Sequence, residues 1–589
     1  MRAARVRAVS GAVVLAETTS SISIGEVVYV GRARLLGEVV ALDGDVATLQ
    51  VYEDTEGLRP GDAVEASGAP LAVELGPGLL GQVFDGVQRP LDALARREGD
   101  LLARGARAPA LDRSRRWWFT PAVAVGADVR DGQVIGTVPE TPAVEHRLLV
   151  PPRGGGRVLW LASEGDVGVD DCVARVESDD GTAEIRAHHR WRARAARPFL
   201  ERLSPRHPLI TGQRVLDTLY PLARGGAAGM PGGFGTGKTI MQHQLCRWAD
   251  ADVIVYVGCG ERGNEMTEML RRLPELTDPR TGRPLAERTV LVANTSNMPV
   301  AAREASLYCG LTIAEYYRDM GYHAVLLADS TSRWAEALRE LGGRLGEMPA
   351  EEGYPSYLSS RLAAYYERAG RVRTLGGAEG SVTLISAISP AGGDLTEPVT
   401  RHTQRFTRTF WTLDQSLAAA RVFPAVSTRD SYCDLPSGVT EWWVEHVGPD
   451  WPDRRGAVLA LVDEADRIES TARLVGTDAL PERQQLVLRF ARVVEEGFLR
   501  QSAFDDVDAF CAPARQHALL ALILDALSRA EAAIERGAPA RALGALPELA
   551  AIERAKTEVP DAAGLASLLE AFDAACGRLE SPAPREVAP

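Results

Sequence analysis

The sequence lacks a hydrophobic run long enough to cross a membrane, since no apolar stretch approaches the roughly 18 residues that a spanning helix needs. Its first residues, MRAARVRAVSGAVVLAE, mix basic and apolar residues as a secretory leader does. The apolar part is short, however, and continues into alternating, strand-like sequence. We therefore interpret this segment as a buried first strand and not as a signal peptide.

Cysteines are few, and no two of them have the C-x-x-C spacing of a zinc or redox site. Their number is odd and they are scattered, so the sequence does not suggest a disulfide framework. The pattern is typical of reduced thiols in a cytosolic protein. The cysteines are Cys172, Cys246, Cys259, Cys309, Cys433, Cys511 and Cys576.

A basic excess is also lacking, because 66 Lys and Arg residues face 80 Asp and Glu residues and the net charge is −14. A field of this sign disfavours nucleic acid as a partner. The composition is otherwise that of a globular protein, with 45% hydrophobic and 25% charged residues. At about 150 residues per domain, the 589 residues predict roughly three or four domains.

Two parts of the sequence are rich in short strands and turns. Residues 1 to about 70 alternate apolar and polar residues between turns such as RPGD at 59–62, which is typical of a small β-barrel. From about 112 to 185 the strands are again short, Gly and Pro recur, and no helical period is present. The position of this second block between two other regions indicates an inserted β module.

From about 225 to 430, short apolar runs alternate with helical stretches, which predicts a parallel sheet covered on both faces. The stretch GGAAGM just before the glycine-rich loop is assigned to a strand because such a loop needs one. From about 440 onward, apolar residues at three and four spacing predict helices, and the final SPAPREVAP predicts a disordered tail. The apolar runs are DVIVYVGCG (252–260), TVLVANTSN (289–297), HAVLLADST (323–331) and SVTLISAIS (381–389).

The stretch GGFGTGKTI, from Gly232 to Ile240, contains the Gly-x-x-x-x-Gly-Lys-Thr spacing of a phosphate-binding loop. Its glycines allow backbone N–H groups to converge on phosphate oxygens, and the following helix adds its positive N-terminal end. Lys238 is predicted to reach the β and γ phosphates, and the Thr239 hydroxyl to bind Mg²⁺. The loop alone does not tell whether the nucleotide is hydrolysed or only held.

Two carboxylates at the ends of apolar runs are candidates for the hydrolytic chemistry. Asp329 ends AVLLA and Glu261 follows VIVYVGCG, so both are expected at the carboxyl edge of the sheet, where ligands gather. We expect Asp329 to be the second acid of a magnesium site. We expect Glu261 to align or deprotonate the water that attacks the γ-phosphate. Arg262, its neighbour, can neutralise phosphate charge or pair with a carboxylate.

Four segments are long and distinctive: VGCGERGNEMTEML, MPAEEGYPSYLSSRLAAYYERAG, SPAGGDLTEPVTRHTQRFTRTFWTLD and WWFTPAVAVGADVRDGQVIGTVPETPAVEHRLLVPP. They resemble the catalytic A subunit (alpha chain) of V-type and archaeal A-type rotary ATPases. The last segment lies in the inserted β module, which in this family distinguishes the catalytic chain within its superfamily.

The resemblance implies a multidomain α/β fold in four parts. These are an N-terminal β-barrel at 1–70, an inserted β-rich bulge domain at 112–185, a RecA-like P-loop nucleotide-binding domain with a parallel sheet at 71–111 and 186–435, and a C-terminal helical domain with a disordered tail at 436–589.

The resemblance also implies an ATP hydrolase or synthase that couples ATP + H₂O = ADP + phosphate to H⁺ or Na⁺ transport across a membrane. Its cofactors are ATP or ADP and Mg²⁺. The implied catalytic residues are Lys238, Glu261 and Arg262. Thr239 and Asp329 are the implied magnesium ligands.

An aromatic pocket for the adenine is implied only by the family, because two phenylalanines at these positions otherwise suggest core packing. Phe423, in RVFPAV, matches the residue that packs on the base, and Phe504, in RQSAF, resembles a second wall. The full implied nucleotide-binding set is Gly232, Gly233, Phe234, Gly235, Thr236, Gly237, Lys238, Thr239, Ile240, Phe423 and Phe504.

The implied partners are other subunits of a membrane-bound machine, and no nucleic acid is among them. Three A subunits alternate with three non-catalytic B subunits in a ring, and the neighbouring B subunit supplies an arginine to the reaction. Central stalk and peripheral stalk subunits link this ring indirectly to an ion rotor in the membrane. The chain is accordingly expected in the cytoplasm, peripheral to the cell membrane, as part of the catalytic head.

Two loop residues depart from the family pattern. The family usually has Pro at the position of Gly233, and eukaryotic vacuolar members have an oxidisable cysteine at the position of Thr236. We therefore expect a less rigid loop that no disulfide controls.

Two other function classes stay open. One is another hexameric P-loop motor, such as an RNA helicase or a protein-export ATPase, which the −14 charge and the inserted motif disfavour. The other is a non-catalytic nucleotide-binding ring subunit, which the intact Lys238, Thr239, Glu261 and Asp329 disfavour.

Overall fold

The computed structural model describes residues 2–99, 102–178 and 181–580, and the predicted tail SPAPREVAP lies outside the described residues. The chain divides into two compact units. The first comprises the chain up to Ser204 together with Arg224–Pro231 and Ala251–Thr407. The second comprises Pro205–Ala223, Gly232–Asp250 and the chain from Arg408 onward.

Strands dominate the first part of the chain and helices the last. The strands are β1 (Arg2–Ser10), β2 (Val13–Thr18), β3 (Glu26–Val30), β4 (Leu35–Asp43), β5 (Val46–Val51), β6 (Ala63–Pro70), β7 (Ala72–Leu75), β8 (Val83–Phe84), β9 (Trp117–Pro121), β10 (Asp128–Val129), β11 (Val134–Pro139), β12 (Glu145–Leu149), β13 (Gly156–Leu161), β14 (Gly165–Val167), β15 (Cys172–Ser178), β16 (Gly181–Arg186), β17 (His189–Arg192), β18 (Glu201–Leu203), β19 (Ala227–Pro231), β20 (Val253–Glu261), β21 (Thr289–Thr295), β22 (His323–Asp329), β23 (Gly370–Arg373), β24 (Glu379–Ile388), β25 (Thr409–Phe410) and β26 (Tyr432–Cys433). The helices are α1 (Leu91–Glu98), α2 (Lys238–Trp248), α3 (Gly263–Arg272), α4 (Val300–Asp319), α5 (Thr331–Leu345), α6 (Leu358–Tyr366), α7 (Pro398–Phe406), α8 (Gln415–Ala419), α9 (Ser437–His446), α10 (Trp451–Val475), α11 (Glu482–Val494), α12 (Pro513–Glu535), α13 (Ala540–Gly544), α14 (Pro547–Glu558) and α15 (Ala562–Glu580).

A closed β-barrel forms the beginning of the first unit, with the strand order β1-β2-β5-β4-β3-β6. Its interior is filled by small aliphatic side chains that are fully buried, among them Val14, Val28, Val39 and Leu49. Small β-branched residues suit the tight interior of a six-stranded barrel, where successive inward positions converge. The N-terminal segment is therefore a barrel strand, as the alternating sequence predicted.

The inserted β module consists of two four-stranded antiparallel sheets, with the orders β10-β13-β15-β16 and β12-β11-β9-β14. Their facing sides bury one apolar core that includes Trp117, Phe119, Ile135 and Val158. Before and after this module, β7 and β17 pair with each other, so the chain enters and leaves it side by side. This arrangement is what an insertion into a continuing domain requires.

A parallel sheet is the centre of the first unit, with β19, β24, β22, β20, β21 and β8 as successive neighbours. The runs predicted at 252–260, 289–297, 323–331 and 381–389 are the strands β20, β21, β22 and β24, and GGAAGM contributes to β19. Residues 253–260 of β20 are all buried, because this strand has sheet neighbours on both sides and helices packed on it.

The second unit is mainly helical, with α2, α8 to α15, a short antiparallel pair of strands (β25 and β26), and π-helical turns at Val215–Leu219 and Glu495–Leu499. The predicted C-terminal helices are α9 to α15. The predicted fold class is thus confirmed: an N-terminal barrel, a β-rich insertion, a parallel sheet and C-terminal helices. Over the described ranges no helix is both long and apolar enough to span a membrane.

Candidate nucleotide site

The predicted phosphate loop runs from Gly232 to Gly237, directly between the end of β19 and the start of α2. Gly235 has a φ of 79° and Gly237 a φ of 88°. Both lie in the left-handed region, which glycine adopts readily and side-chain-bearing residues do not. The glycine spacing is therefore a requirement of the backbone path.

Lys238 and Thr239 are the first two residues of α2, so their side chains lie at the helix end that carries partial positive charge. The Lys238 ammonium donates a hydrogen bond to the carbonyl of Gly232, across the loop. The buried Thr236 hydroxyl donates to the carbonyl of Gly233 at 2.9 Å. The loop is thus tied to itself at two points.

The two glycines at the start of the loop differ in how much space surrounds them. A Cβ on Gly232 would lie 2.6 Å from Thr236 Oγ1 and 2.9 Å from Leu413 Cβ, so a side chain there forces a shift. A Cβ on Gly233 would meet only Gln415 Oε1 at 3.8 Å, which is an ordinary contact. The position where the family usually has Pro is therefore spacious, and its glycine is not needed for packing.

Behind the loop, the second unit encloses a cavity of about 690 Å³, a volume typical of small-molecule sites. Phe423 and Phe504 both line it, and they are 41% and 77% exposed. The Phe423 ring packs against the loop, because a Cβ on Gly237 would lie 3.6 Å from it. The cavity is lined by Gln213, Thr236, Gly237, Ile240, Met241, Gln244, Leu413, Arg421, Phe423, Pro424, Ala425, Glu496, Arg500, Gln501, Ser502, Ala503, Phe504, Asp505, Asp508, Glu553, Arg554, Lys556 and Thr557.

The structure brings part of the predicted nucleotide set to this cavity. Thr236, Gly237, Ile240, Phe423 and Phe504 are lining residues. The remaining members belong to the loop or the helix start but not to the lining, and Phe234 projects outward with 78% of its surface exposed. Those remaining members are Gly232, Gly233, Phe234, Gly235, Lys238 and Thr239.

The predicted carboxylates lie together at one edge of the parallel sheet in the first unit. Glu261 is the last residue of β20 and Asp329 the last residue of β22, and these two strands are parallel neighbours in which Gly258 pairs with Asp329. Asp329 is 3% exposed, and the hydroxyl of Tyr256 donates to it at 3.3 Å. The strand ends therefore place two acids side by side, as the sequence predicted.

The environment of Glu261 favours its protonated form. Burial, with the negative charges of Asp329 and Glu265, raises its pKa to about 8, and the positive charge of Arg333 acts in the opposite direction. A carboxyl group with a pKa near neutrality is suited to exchange a proton at physiological pH. Sequence reasoning missed Glu265 and Arg333, although Glu265 lies four residues after Glu261, in the first turn of α3.

Arg262 is exposed and forms the N-cap position of α3, next to Glu261. Cys259, two residues before Glu261, is fully buried, and burial raises the pKa of its thiol to about 12. Its sulfur donates to the carbonyl of Arg303 at 3.4 Å. The thiol is thus protonated and shielded, which disfavours redox chemistry beside the acids.

Sequence reasoning also missed the wall of the cavity that α14 supplies. Its members lie far from the loop in the chain, so no local motif connects the two. One compositional signal was present: the chain has only two lysines, Lys238 in the loop and Lys556 in α14.

Four family descriptions match successive parts of the chain. The ATP synthase alpha/beta family, beta-barrel domain, matches residues 6–68, and the ATP synthase alpha/beta subunit barrel-sandwich domain matches 108–194. The ATP synthase alpha/beta family, nucleotide-binding domain, matches 212–433, and the C-terminal domain of V and A type ATP synthase matches 440–541.

Curated relatives match the chain over nearly its whole length. It is 50% identical over 569 residues to the A subunit of the A-type ATP synthase from Thermococcus sp. (strain KI), and the match covers 96% of this chain and 97% of the relative. It is 53% identical over 534 residues to the corresponding A-type protein from Methanopyrus kandleri, covering 90% of each. It is also 53% identical over 537 residues to the V-type ATP synthase alpha chain of Nitrosococcus oceani, covering 91% of each.

Among solved structures, the fold is similar to that of the assembled ATPase EscN from the type III secretion system of enteropathogenic E. coli. The TM-score is 0.63, and the match covers 88% of this chain and all of that one. Because the sequences are only 21% identical, the likeness concerns the fold alone.

Proposed function

The chain belongs to the family of A subunits of A-type and V-type ATP synthases, and from this premise we propose how its own residues divide the chemistry of ATP. As such it is the catalytic subunit of a rotary ATPase, an ATP hydrolase or synthase that binds ATP and ADP and contributes to ion transport. The observation that carries the residue assignment is the position of Glu261 at the end of β20, beside Asp329 at the end of the neighbouring parallel strand β22.

The phosphates are held by the loop and the start of α2. Lys238 neutralises charge on the β and γ phosphates, and the backbone N–H groups of the loop and the first helical turn bind phosphate oxygens. The left-handed glycines and the helix that begins at Lys238 support this role. Gly232, Gly233, Phe234, Gly235 and Thr236 take part through their backbone.

Mg²⁺ fits the donor set that Thr239 and Asp329 offer, since a hydroxyl and a carboxylate are the hard oxygen ligands this ion prefers. The negative charge of Asp329 contributes to the raised pKa of Glu261, so this edge of the sheet favours a divalent cation. The chemistry that the ion would supply when bound is neutralisation of the charge that develops on the phosphates. Thr239 and Asp329 would hold the ion.

Glu261 acts on the water. In hydrolysis it orients a water molecule and accepts a proton from it while the water oxygen attacks the γ-phosphorus and the bond to the β-phosphate oxygen breaks. The products are ADP and phosphate, and in synthesis the proton returns by the same route. Arg262, exposed beside Glu261, lies near the γ-phosphate and offsets its charge.

The adenine occupies the cavity in the second unit. Phe423 packs on one face of the base, and Phe504 forms the second wall. Both rings are substantially exposed toward an apolar cavity, which is where a stacking platform is useful and a core residue is not. Gly237 and Ile240 supply the side of the cavity nearest the phosphates.

The working assembly includes other subunits, as for every member of this family. We propose the alternating ring of three A and three B subunits, with an arginine from B at the phosphates, and the central and peripheral stalks as further partners. The stalks couple turnover to a membrane rotor that carries H⁺ or Na⁺. The catalytic head then lies on the cytoplasmic face of the membrane, and nucleic acid is not a partner.

The domain limits of the proposal are a barrel to residue 70, an inserted bulge domain at 112–185, and a C-terminal domain from 436, with the nucleotide-binding domain at 71–111 and 186–435. The matched family ranges 6–68, 108–194, 212–433 and 440–541 support this division.

The test is ATP turnover by the isolated chain and by the chain assembled with its B-type partner. An arginine supplied from a neighbour contributes roughly 10³–10⁵ in rate. We therefore expect turnover per catalytic chain to rise at least about 100-fold on assembly, whereas nucleotide binding to the isolated chain persists. Rapid turnover by the isolated chain would refute the shared site.

A further inference from the structure

Helix α14 forms one wall of the cavity, although it follows the residues that the C-terminal family description matches, 440–541. Its last turns contribute Glu553, Arg554, Lys556 and Thr557 to the lining. Lys556 is one of the two lysines in the chain, and the other, Lys238, lies in the phosphate loop. Every other basic side chain is an arginine or a histidine, so a lysine is an unusual choice at this position.

The Lys556 ammonium binds the carbonyl end of the helix that leads into the cavity. It donates to the carbonyl of Glu496 at 2.5 Å and to the carbonyl of Arg500 at 2.7 Å. These residues lie in and just after the π-helical turn Glu495–Leu499, which continues α11. A cation at the last carbonyls of a helix is stabilising, because the helix dipole is negative there.

The carbonyl of Arg500 receives a second cation, since Arg214 Nη2 also donates to it at 2.8 Å. Arg214 further pairs with Asp508 at 2.7 Å. Both ends of the segment 500–508 are therefore held, and this segment carries Phe504 at its exposed tip. A compact ammonium suits the position between two carbonyls, where a planar guanidinium would need more space.

The same segment is joined to the other aromatic wall. The N–H of Gln501 donates to the carbonyl of Phe423 at 2.8 Å. The Gln501 side-chain amide donates to the carbonyl of Asp508 at 2.8 Å. Gln501, which directly follows Arg500, thus joins the segment that carries Phe504 to the bend that carries Phe423.

Helix α14 is itself fixed against the helix it supports. A Cβ on Gly497 would lie 3.2 Å from Glu553 Cα, so the two backbones approach closely at this glycine. The guanidinium of Arg489 pairs with the Glu553 carboxylate at 2.5 Å. Arg515 donates to the carbonyl of Ala555 at 2.9 Å, within the last turn of α14. These contacts hold helix α14, and with it Lys556, in place.

We propose that Lys556 is a positioning residue for the nucleotide base, which it serves by clamping the carbonyls of Glu496 and Arg500 so that Phe504 stands opposite Phe423. The proposal rests on the assignment of this cavity to the adenine. The amine lies among charges of both signs: Asp508 and Glu496 favour its cation, and Arg214 and Arg500 oppose it. Burial lowers the pKa of Lys556 to about 8, so it is charged for the most part at neutral pH.

The test compares ATP with inorganic tripolyphosphate, which has the phosphates but no base, binding to the full-length chain with Mg²⁺. In Lys556→Met we expect the dissociation constant of ATP to rise about tenfold, equivalent to ~1.4 kcal/mol. We expect that of tripolyphosphate to change less than about twofold, since the loop keeps its own contacts. Lys556→Arg, which restores a cation but brings a planar guanidinium that needs more space between the two carbonyls, should recover the ATP affinity only in part.

A matched control is Arg578→Met, which removes an exposed cation of α15 that pairs with Glu548 of α14 at 3.0 Å and does not line the cavity. It should leave both affinities unchanged. Equal weakening of ATP and tripolyphosphate in Lys556→Met would show a merely structural role and overturn the inference. If Phe423→Ala weakens ATP while Lys556→Met does not, the inference is wrong and the adenine pocket stands. If neither weakens ATP, both are wrong.

Should Lys556→Met fail to fold, the wild-type chain gives an independent answer because only two side-chain amines need to be followed. Acylation at pH 8, read by mass spectrometry, should show Lys238 protected by ATP and by tripolyphosphate. Lys556 should be protected by ATP and not by tripolyphosphate. Identical labelling of Lys556 with and without ATP would overturn the inference.

Discussion

The phosphate loop and the cavity behind it recognise two parts of one ligand by different means. The loop and the first two residues of α2 form eight consecutive residues, Gly232–Thr239, which work through their backbone, two left-handed glycines and one lysine. The cavity is assembled from segments that range from Gln213 to Thr557 and works through side chains. Phosphate recognition is thus encoded locally in the sequence, whereas base recognition depends on the tertiary structure.

The role of the phosphate loop in binding phosphate is tested most strongly by Lys238→Ala. We expect tripolyphosphate and ATP to lose affinity together, by about 10- to 100-fold, because a charge-assisted hydrogen bond to phosphate contributes ~1.5–3 kcal/mol. Turnover of the assembled enzyme should fall by a further 10²–10³-fold, roughly the effect of removing one donor from developing charge. Calorimetry with both ligands and a steady-state ATPase assay measure this. A loss confined to ATP would contradict the assignment.

The role of the cavity in binding the base is tested by Phe423→Ala. Stacking on an aromatic ring contributes ~1–3 kcal/mol per base, so we expect ATP affinity to fall by about 10- to 100-fold. Tripolyphosphate binding should stay unchanged, because the loop does not need the ring. Leu474→Ala, which trims an exposed apolar side chain of α10 outside the cavity, is the control. Equal losses for both ligands would mean that the two regions are not separable.

A third region, the edge of the parallel sheet that carries Glu261 and Asp329, is tested by Glu261→Gln. The pKa of Glu261 is about 8 in the fold against an ordinary 4.5. Between these values the folded chain binds a proton that the unfolded chain lacks, so the wild type loses stability as pH rises through this window. The neutral amide avoids that loss, and we expect the variant to be more stable by on the order of 1–3 kcal/mol at pH 8.

Unfolding by urea at several pH values measures this difference, which should vanish toward pH 4.5. The control is Glu268→Gln on α3, an exposed residue in an ion pair with Arg272, which should show no such dependence on pH. A wild type and a Glu261→Gln variant that keep the same stability at every pH would show that the edge does not perturb Glu261.

The smallest effects on stability are expected for alanine substitutions at two glycines of the loop, Gly233 and Gly237. At Gly237 the φ of 88° makes alanine strained by ~1–2 kcal/mol. Gly233 is outside the left-handed region and has free space, so Gly233→Ala should stabilise the chain by ~0.4–1 kcal/mol or leave it unchanged. Thermal unfolding and tripolyphosphate binding of the two variants give the comparison. Equal losses of stability and of tripolyphosphate affinity in the two variants would show that the loop is rigid throughout.

The sequence predicted most of what depends on local pattern. The buried runs of the parallel sheet, the loop and the strand-end positions of Glu261 and Asp329 follow from periodicity and spacing, because these features arise within a few residues. The role of Phe423 and Phe504 in binding the adenine was predicted only from the family resemblance. Nothing in their local sequence distinguishes a phenylalanine that stacks on a base from one that packs in the core.

What stayed hidden depends on contacts between distant segments. The raised pKa of Glu261 arises from its burial and from Asp329, which belongs to another strand. The α14 wall arises from a helix that packs on the turn Glu495–Leu499 through Gly497. Neither leaves a periodic or spaced signal, and only the rarity of lysine in the chain marked Lys556.

The central claim is that this chain supplies the residue that activates water. The direct measurement is ATP turnover by the assembled enzyme that carries Glu261→Gln, with nucleotide binding measured on the same preparation. We predict a loss of turnover of about 10²–10⁴-fold, the usual contribution of a general base, with the ATP dissociation constant within about threefold of the wild type. Wild-type turnover in this variant would contradict the account.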